Sequence, residues 1–246
     1  MRLRKIVWCL FFCLVTALVS AQTGSHPDTS AIVARMLAAQ HENKARLQPF
    51  TVRRNYQLFD QHSDRKAEIV ADITWHPPDQ KQYRIESTSG GLGERVLRDV
   101  LSKETEPVKE RQKHELSQDN YDFEFIRVDS LEGRPCYVLA LKPRREDKDL
   151  VRGQIWVDAE NYRIPRLEGK TMKSPSWWIR DLYILMTFTD VSGKWLHTST
   201  QAVANVRFRG QYVMLSRDLE YRAADSSQSV PTQHTPAVLA GAVVHR

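Results

Sequence analysis

The apolar residues near the start of the chain recur with the period of an α-helix. The helical interval is 29–47, and its apolar face carries Ile32, Val33, Met36 and Leu37. This i, i+1, i+4, i+5 spacing places the four side chains on one side of a helix. Asp28, Thr29 or Ser30 can cap the first turn. Pro49 stops the helix, because proline disfavours helical backbone in the residue before it.

After this proline the period of the apolar positions changes to two. Segments 51–59, 67–75 and 82–87 predict three strands. The second strand has one apolar face, formed by Ala67, Ile69, Ala71, Ile73 and Trp75. Its other face carries polar residues, which is typical of a half-buried strand.

A helical insertion follows these three strands. It begins after the segment SGGLG at 89–93, and its narrow apolar stripe consists of Val96, Leu97, Val100 and Leu101. Pro107 ends or kinks the helix. The glycine segment lacks the third glycine of a dinucleotide-binding loop and the Lys-Ser/Thr of a phosphate-binding loop. It therefore indicates a flexible joint, which is either a simple turn or the hinge of a moving lid.

Strand-like segments occupy the rest of the predicted domain. They are 121–128, 136–142, 153–159, 162–169, 177–191, 194–210 and 211–222. The links between them have hairpin length, which predicts antiparallel pairing. A sheet of about ten strands must curl or close. The periodicity thus predicts a mainly β fold with a few helices, in which the antiparallel sheet is curved or forms a partial barrel and the two helices cover its mouth.

The two ends of the chain differ from this domain. Residues 1–21 combine a basic start, an apolar core and small residues before Gln22, which predicts a cleaved signal peptide rather than a membrane anchor. Residues 22–28 form a polar leader, the domain spans 29–222, and the polar composition of 223–246 predicts a disordered tail. We expect an exported, periplasmic protein that is not an integral membrane protein after cleavage.

Composition narrows the classes of partner. The 246 residues include 36 Lys and Arg against 30 Asp and Glu, a net charge of +6 that falls to +3 without residues 1–21. So small a charge gives no reason to expect a nucleic-acid partner. Cys136 is the one cysteine outside the predicted signal, so we expect no internal disulfide.

No catalytic or metal-binding pattern is found in the sequence. The eight histidines include no His-Glu-x-x-His or His-x-His pair, and there is no Gly-x-Ser-x-Gly elbow. Cys136 lies in an apolar strand, which favours a buried inert thiol over a nucleophile. We expect no enzyme activity, no metal and no cofactor. A secreted hydrolase on a β scaffold is the alternative, and robust turnover by the purified protein would support it.

Charged side chains in the predicted strands and turns have two interpretations each. The mixed signs of KPRREDKD at 142–149 are typical of a solvated hairpin tip, and a headgroup or anionic-partner site is the alternative. Arg53, Arg54, Arg207 and Arg209 lie within predicted strands. They either meet anionic groups at a rim or cover an exposed face.

The middle of the chain resembles a known family. Its most specific part pairs G-R-x-C-Y-V-L-x-L-x-P at 133–143 with G-x-I-W-V-D at 153–158, followed by R-x-E-G at 166–169. With these residues, segment 120–169 resembles the LolA-like outer-membrane lipoprotein-sorting family and the related RseB sensor domain. The resemblance extends in order and spacing over roughly residues 29–222.

This resemblance implies an eleven-stranded half-open barrel with helices as a lid and a hydrophobic cavity for acyl chains. The implied cargo is an acylated lipoprotein or lipid, and the implied partners are membrane-associated donor and acceptor proteins. In carriers of this family an arginine before a proline fixes the lid, and the matching position here is His76, followed by Pro77.

Two functions follow as hypotheses. The first is a non-enzymatic periplasmic carrier or chaperone that sorts lipoproteins to the outer membrane. The alternative is an RseB-like regulatory module that binds an acylated signal and a membrane-anchored partner.

Large apolar side chains supply the predicted ligand-binding cavity. An ordinary core would use most of them, but a curled sheet with two short helices has more concave apolar surface than the helices cover. The predicted cavity residues are Tyr56, Ile73, Trp75, Tyr83, Phe123, Phe125, Tyr137, Leu139, Trp156 and Trp178. The predicted lid consists of Ile32, Val33, Met36 and Leu37 from the first helix and Val96, Leu97, Val100 and Leu101 from the second.

Overall fold

The computed structural model describes residues 27–78, 80–223 and 229–231, so the predicted signal peptide and most of the predicted tail lie outside it. The described helices are α1 (Thr29–Arg46), α2 (Gly91–Glu104) and α3 (Val108–Gln112). The described strands are β1 (Phe50–Phe59), β2 (Arg65–His76), β3 (Gln80–Ser89), β4 (Tyr121–Leu131), β5 (Arg134–Pro143), β6 (Val151–Asp158), β7 (Arg166–Thr171), β8 (Ile179–Val191), β9 (Lys194–Val206), β10 (Gly210–Ala223) and β11 (Ser229–Pro231).

The strands form one antiparallel sheet in the order β3-β2-β1-β10-β9-β8-β7-β6-β5-β4, with β11 paired to β10. Pairing of β1 with β10 joins the early strands to the late ones. The sheet is curled and is not closed, which confirms the predicted fold class. Because β3 and β4 stand at opposite ends of this order, the connection that contains α2 and α3 links the two edges of the sheet.

The predicted strand at 162–169 begins later, at Arg166. The preceding residues form a turn in which Asp158 Oδ1 accepts the backbone N–H groups of Glu160 and Asn161, both at 3.0 Å. Tyr162 follows with a φ of 58°. A left-handed backbone cannot continue a strand, so pairing resumes only after this turn.

Helix α1 begins and ends as the sequence predicts. Asp28 caps it, because Asp28 Oδ1 accepts the Ser30 N–H at 2.9 Å. Its apolar face packs on β4–β7 in a group of side chains that we call the α1 cluster. The buried members of the α1 cluster are Ile32, Val33, Met36, Tyr121, Leu139, Leu141, Leu150, Val151, Ile155, Val157, Ile164 and Leu167.

Helix α2 packs on the other half of the sheet. Gly90 precedes it with a φ of 102°, and a Cβ at that position would lie 2.2 Å from the backbone oxygen of Lys66. Glycine is therefore required there, and the start of α2 is closely packed against β2. The second group, which we call the α2 cluster, has the buried members Tyr56, Leu58, Ala67, Ile69, Ala71, Ile73, Leu97 and Leu101. Helix α2 ends at Glu104, before Pro107, as predicted.

Two smaller apolar groups complete the packing. One lies beyond the last residue of α1 and contains Phe50 and Trp75, whose rings stack 5.6 Å apart. The other contains Cys136, Val138 and Trp156. Because Tyr137 and Leu139 alternate with Cys136 and Val138 along β5 and pack on the α1 cluster, this last group lies on the opposite face of the sheet.

Candidate functional site: a groove over strand β9

The two helices cover the same face of the sheet. Ile184 on β8 packs against the α1 cluster, and Met214 on β10 packs against the α2 cluster. Both residues pair with Ala202 on the intervening strand β9. Directly paired residues of antiparallel strands point to one face. The helices therefore share this face, which we call the inner face, and β9 lies between the two covered regions.

Small side chains follow β9 along the inner face. The paired rows are Leu182–Ala204–Tyr212, Ile184–Ala202–Met214 and Met186–Thr200–Ser216, read from β8 to β10. In the first two rows an alanine lies between larger apolar side chains that remain half-buried. At a strand spacing of about 4.8 Å, the strip between β8 and β10 is about 10 Å wide. We call this strip the β9 groove.

The groove becomes polar near Thr200. The His197 ring Nε2 lies 2.7 Å from Thr200 Oγ1, and the His197 ring meets Phe188 edge-on with centroids 5.5 Å apart. Ser216 on β10 is buried in the same region. An apolar ligand in the β9 groove would therefore have a hydrocarbon environment at the Ala204 end and hydrogen-bonding groups at the Thr200 end.

A buried ionic group lies beside this polar end. Arg54 on β1 is only 4% exposed and donates hydrogen bonds to Asp218 on β10, to Glu104 on α2 and, at 3.1 Å, to the backbone oxygen of His197. The Tyr56 hydroxyl also donates to Glu104. We call these five residues the Arg54 cluster. It joins β1, β9 and β10 to the last residue of α2.

Burial and charge set the protonation states in the Arg54 cluster. Burial alone would raise the pKa of Glu104, but the positive charges of Arg54 and Lys81 outweigh it and lower this pKa to about 2. Burial and the neighbouring Arg54 lower the pKa of His197 to about 3. Burial disfavours the charged form of Arg54, yet Glu104 and Asp218 hold its pKa well above the usual value. At neutral pH, Glu104 and Arg54 are charged and His197 is neutral.

The predicted cavity residues divide among several regions. Phe123, Phe125, Tyr137 and Leu139 pack in or against the α1 cluster. Tyr56 and Ile73 belong to the α2 cluster, and Trp75 belongs to the group around Phe50. The structure thus places these seven residues around the helices rather than in the β9 groove itself.

Three further predicted cavity residues lie elsewhere. Trp156 is on the opposite face from the helices, where it packs with Cys136 and Val138. Trp178 is 37% exposed in the loop before β8, and Tyr83 is 39% exposed on the edge strand β3. None of these three lines the β9 groove.

The predicted lid residues lie in two separate clusters, one under each helix. Ile32, Val33 and Met36 are buried in the α1 cluster, with Leu37 half-buried beside them. Leu97 and Leu101 are buried in the α2 cluster, with Val96 and Val100 half-buried. His76, the position at which the resemblance implies a residue that fixes the lid, is exposed at the end of β2. An ionic contact from the sheet to α2 is made by Arg54.

Sequence reasoning missed the small residues of β9 and the role of Arg54. The segment 199–206 reads STQAVANV, in which Thr200, Ala202 and Ala204 alternate with larger residues. This alternation of small side chains within a strand was the available signal. The signal for Arg54 was its place in the alternation of β1, between Val52 and Tyr56 on the buried face, whereas Arg53 lies on the other face. Its partners Glu104 and Asp218 could not be read from this pattern, because they are distant in sequence.

A polar cavity of about 300 Å³ lies on the outer face of β1–β3. It is lined by Thr51, Asp72, Thr74, Gln82, Tyr83, Arg84 and Arg222. Asp72 accepts hydrogen bonds from Arg53 Nε at 3.1 Å and from Arg222 Nη2 at 3.0 Å. Glu220 pairs with the same two arginines and Glu86 pairs with Arg84, so charges of both signs surround the cavity. The lining is too polar for a hydrocarbon chain.

Three further properties of the described residues concern thiol chemistry, metal ligands and membrane-spanning helices. Cys136 is buried, and this burial raises the pKa of its thiol.

Within the described ranges, no group of three or more His, Cys, Asp or Glu side chains is placed to hold a metal ion. Among the helices of that same part of the chain, none has the length and apolar character needed to cross a membrane.

Comparison with solved structures gives matches of low identity. A LolA superfamily protein from Nitrosomonas europaea is 13% identical over 80% of this chain and 94% of that one, with a TM-score of 0.43. A putative outer membrane lipoprotein-sorting protein domain from Vibrio parahaemolyticus is 12% identical over 78% and 93%, with a TM-score of 0.39.

A third match is the MucA/MucB complex of Pseudomonas aeruginosa, which is 13% identical over 76% of this chain and 93% of that one, with a TM-score of 0.28. No protein-family model matches the sequence, and no curated protein matches it. All three TM-scores are below 0.5, so these matches carry no functional argument.

Proposed function

We propose that this protein is an exported, non-enzymatic carrier or chaperone for acylated lipoproteins or lipids in the periplasm, and that the β9 groove holds an acyl chain. One observation carries this proposal: the small side chains of Ala202 and Ala204 lie between larger, half-buried apolar side chains of β8 and β10, on the same face as both helices. The signal-like residues 1–21 and the family resemblance of 120–169 support export and cargo class.

The size of the hydrophobic effect makes an acyl chain a suitable occupant. Each methylene removed from water contributes roughly 0.8 kcal/mol, so a chain of about 14–16 carbons would gain on the order of 10 kcal/mol in gross terms. Loss of freedom and ordering of the groove offset a large part of that gain. The remaining affinity is intermediate, as a carrier that must release its cargo requires.

The helices differ in how they are attached beside the groove. Helix α1 is held by two hydrogen bonds between Asn43 and the backbone of Trp195, at 2.8 and 2.9 Å, and by one from Arg35 to the Tyr162 hydroxyl. Helix α2 rests on apolar contacts, on the contacts of Glu104 with Arg54 and Tyr56, and on the ion pair of Lys103 with Asp149. Movement of the last turn of α2 away from the sheet would break the contacts of Glu104.

The test begins with the lipids attached to the protein. The full chain is purified from cells with intact export, and extracted lipids and lipoproteins are identified by mass spectrometry. The delipidated protein is then titrated with a fluorescent fatty acid. We expect saturable binding that unlabelled fatty acid reverses. A flat titration together with lipid-free protein from cells would contradict acyl binding.

A transfer assay tests the carrier role itself. Donor vesicles containing a fluorescent acyl lipid are mixed with unlabelled acceptor vesicles, and the transfer rate is followed as protein is added. A carrier raises the rate in proportion to its concentration. Saturable fatty-acid binding without accelerated transfer would instead favour a sensing module.

A further inference from the structure

Three aromatic side chains are exposed at one end of the sheet. Trp177 is 80% exposed and Phe208 is 94% exposed, and Trp178 lies beside them. Trp177 and Trp178 belong to the loop between β7 and β8, and Phe208 is at the tip of the β9–β10 hairpin. An exposed group of large aromatic side chains on a soluble domain marks a contact surface.

The loop and the hairpin form one structural unit. The backbone N–H of Arg207 donates to the backbone oxygen of Trp178 at 2.8 Å. The loop is closed by a hydrogen bond from the Ile179 N–H to the Ser176 oxygen at 3.1 Å, and Phe208 has a φ of 65° in the turn of the hairpin. The aromatic side chains are thus presented together by two connected turns.

Arginine side chains surround these aromatics. Arg180, Arg207 and Arg209 are exposed, and within the ranges that the structure describes none of the three forms an ion pair with an acidic side chain. The nearby carboxylate of Asp181 accepts a hydrogen bond from Asn205 Nδ2 at 2.7 Å. We call the three aromatics and three arginines the aromatic–arginine rim.

The aromatic–arginine rim stands at one end of the β9 groove. Ala204 is two residues from Val206, where β9 ends and the hairpin begins, a distance of about 7 Å along the strand. Tryptophan and phenylalanine favour the boundary between lipid headgroups and acyl chains, and each basic residue near an anionic leaflet adds to binding. The combination fits a membrane surface.

We propose that the aromatic–arginine rim docks this protein on a membrane surface rich in anionic lipid headgroups. The aromatic side chains enter the interface, and the arginines contact the headgroups. This docking goes beyond acyl binding in the β9 groove, since it needs no cargo. It would place the Ala204 end of the groove at the membrane.

The test measures co-sedimentation of the full chain with vesicles. One vesicle type contains phosphatidylcholine alone, and the other contains phosphatidylcholine with phosphatidylglycerol. We expect binding to the mixed vesicles that weakens as salt is added. Because each arginine near the surface contributes about fivefold, the double change Arg207→Glu, Arg209→Glu should weaken binding by about 25-fold or more. The double change Trp177→Ser, Phe208→Ser should weaken it by about tenfold or more.

The matched control is the double change Arg217→Glu, Leu219→Ser, which alters an exposed arginine and an exposed apolar residue in the middle of β10. It should bind vesicles like the unmodified protein. Equal binding to both vesicle types, unchanged binding by the rim variants, or an equal loss in the control would each overturn the proposal. Capture of a membrane protein through the rim without binding to protein-free vesicles would also overturn it.

Fatty-acid titrations of the same variants separate this proposal from acyl binding. The rim variants should bind free fatty acid as the unmodified protein does. If the unmodified protein bound no fatty acid but still bound the mixed vesicles through the rim, the acyl-carrier proposal would fail and membrane docking would stand.

Discussion

Arg54 on strand β1 forms an ion pair with Glu104, the last residue of helix α2. The same guanidinium contacts Asp218, so one buried cation connects the sheet interior to the helix that covers it. The pair joins residues fifty positions apart in the chain, and it links the stability of α2 to the charge state of a single carboxylate.

Lowering the pH should reduce the free energy of unfolding, because it protonates Glu104. Its folded pKa of about 2 lies below the ordinary 4.5, so the charged form stabilises the fold above about pH 4.5. This stabilisation is lost as the pH falls from about 4.5 to about 2, and at about 1.36 kcal/mol per pKa unit it amounts to about 3 kcal/mol. Urea unfolding across this range should show the loss. His197, with a folded pKa of about 3, destabilises both proteins over part of this range, so the prediction concerns the difference between them. The side chain in Glu104→Gln cannot titrate, and a loss in that variant as large as in the unmodified protein would contradict the assignment.

Two neighbouring arginines should differ in their importance. Arg54→Leu leaves the buried carboxylates of Asp218 and Glu104 without their shared cation, which should cost about 3–5 kcal/mol of unfolding free energy. Arg53→Leu is the matched control: its pair with Asp72 is more exposed, and Asp72 keeps Arg222, so the cost should be about 1 kcal/mol or less. Urea unfolding measures both losses of free energy. Equal losses would show that the Arg54 cluster contributes no more to stability than the more exposed Arg53–Asp72 pair.

Two adjacent glycines at the start of α2 should differ in their tolerance of a side chain. Gly90→Ala adds a Cβ 2.2 Å from the Lys66 oxygen at a φ of 102°, so we expect a loss of about 2–3 kcal/mol. Gly91→Ala meets no atom within 4 Å and should change stability by about 0.5 kcal/mol or less. Thermal unfolding of both variants measures this difference. If Gly90→Ala were as stable as the unmodified protein, the start of α2 would not be closely packed against β2.

A larger side chain in the β9 groove should block the ligand. Ala202→Phe fills the strip between Ile184 and Met214, so affinity for a fluorescent fatty acid should fall by about tenfold or more, at about 1.4 kcal/mol per tenfold. Val203→Phe, one residue away and on the opposite face, is the matched control and should bind normally. Circular dichroism confirms that both variants fold. Unchanged affinity in Ala202→Phe would place the acyl chain elsewhere.

Local sequence patterns determined the secondary structure well. The apolar faces of α1 and α2 were set by residues three and four apart, and the second strand by alternate apolar residues such as Ile69 and Ile73. Curling of the sheet followed from the number of strands. The late start of β7 is an exception, because the side chain of Asp158 organises a turn within a strand-like segment.

The candidate site depended on information that no local pattern contains. The aromatic residues chosen from the sequence became packing around the helices, with Trp156 on the opposite face, because a strand sequence does not state which of its faces the helices cover. Only the pairing of β8, β9 and β10 placed Ala202 between Ile184 and Met214.

The sequence by itself determined α1, α2, the antiparallel strands β1–β10 and the curled sheet, because helical and strand periods are short-range properties of the chain. It did not predict the short elements α3 and β11. The tertiary structure alone decided the β9 groove, the Arg54–Glu104 pair and the aromatic–arginine rim. Each of these depends on which distant segments pair, and that choice follows from burial of apolar faces and neutralisation of buried charge over the whole sheet.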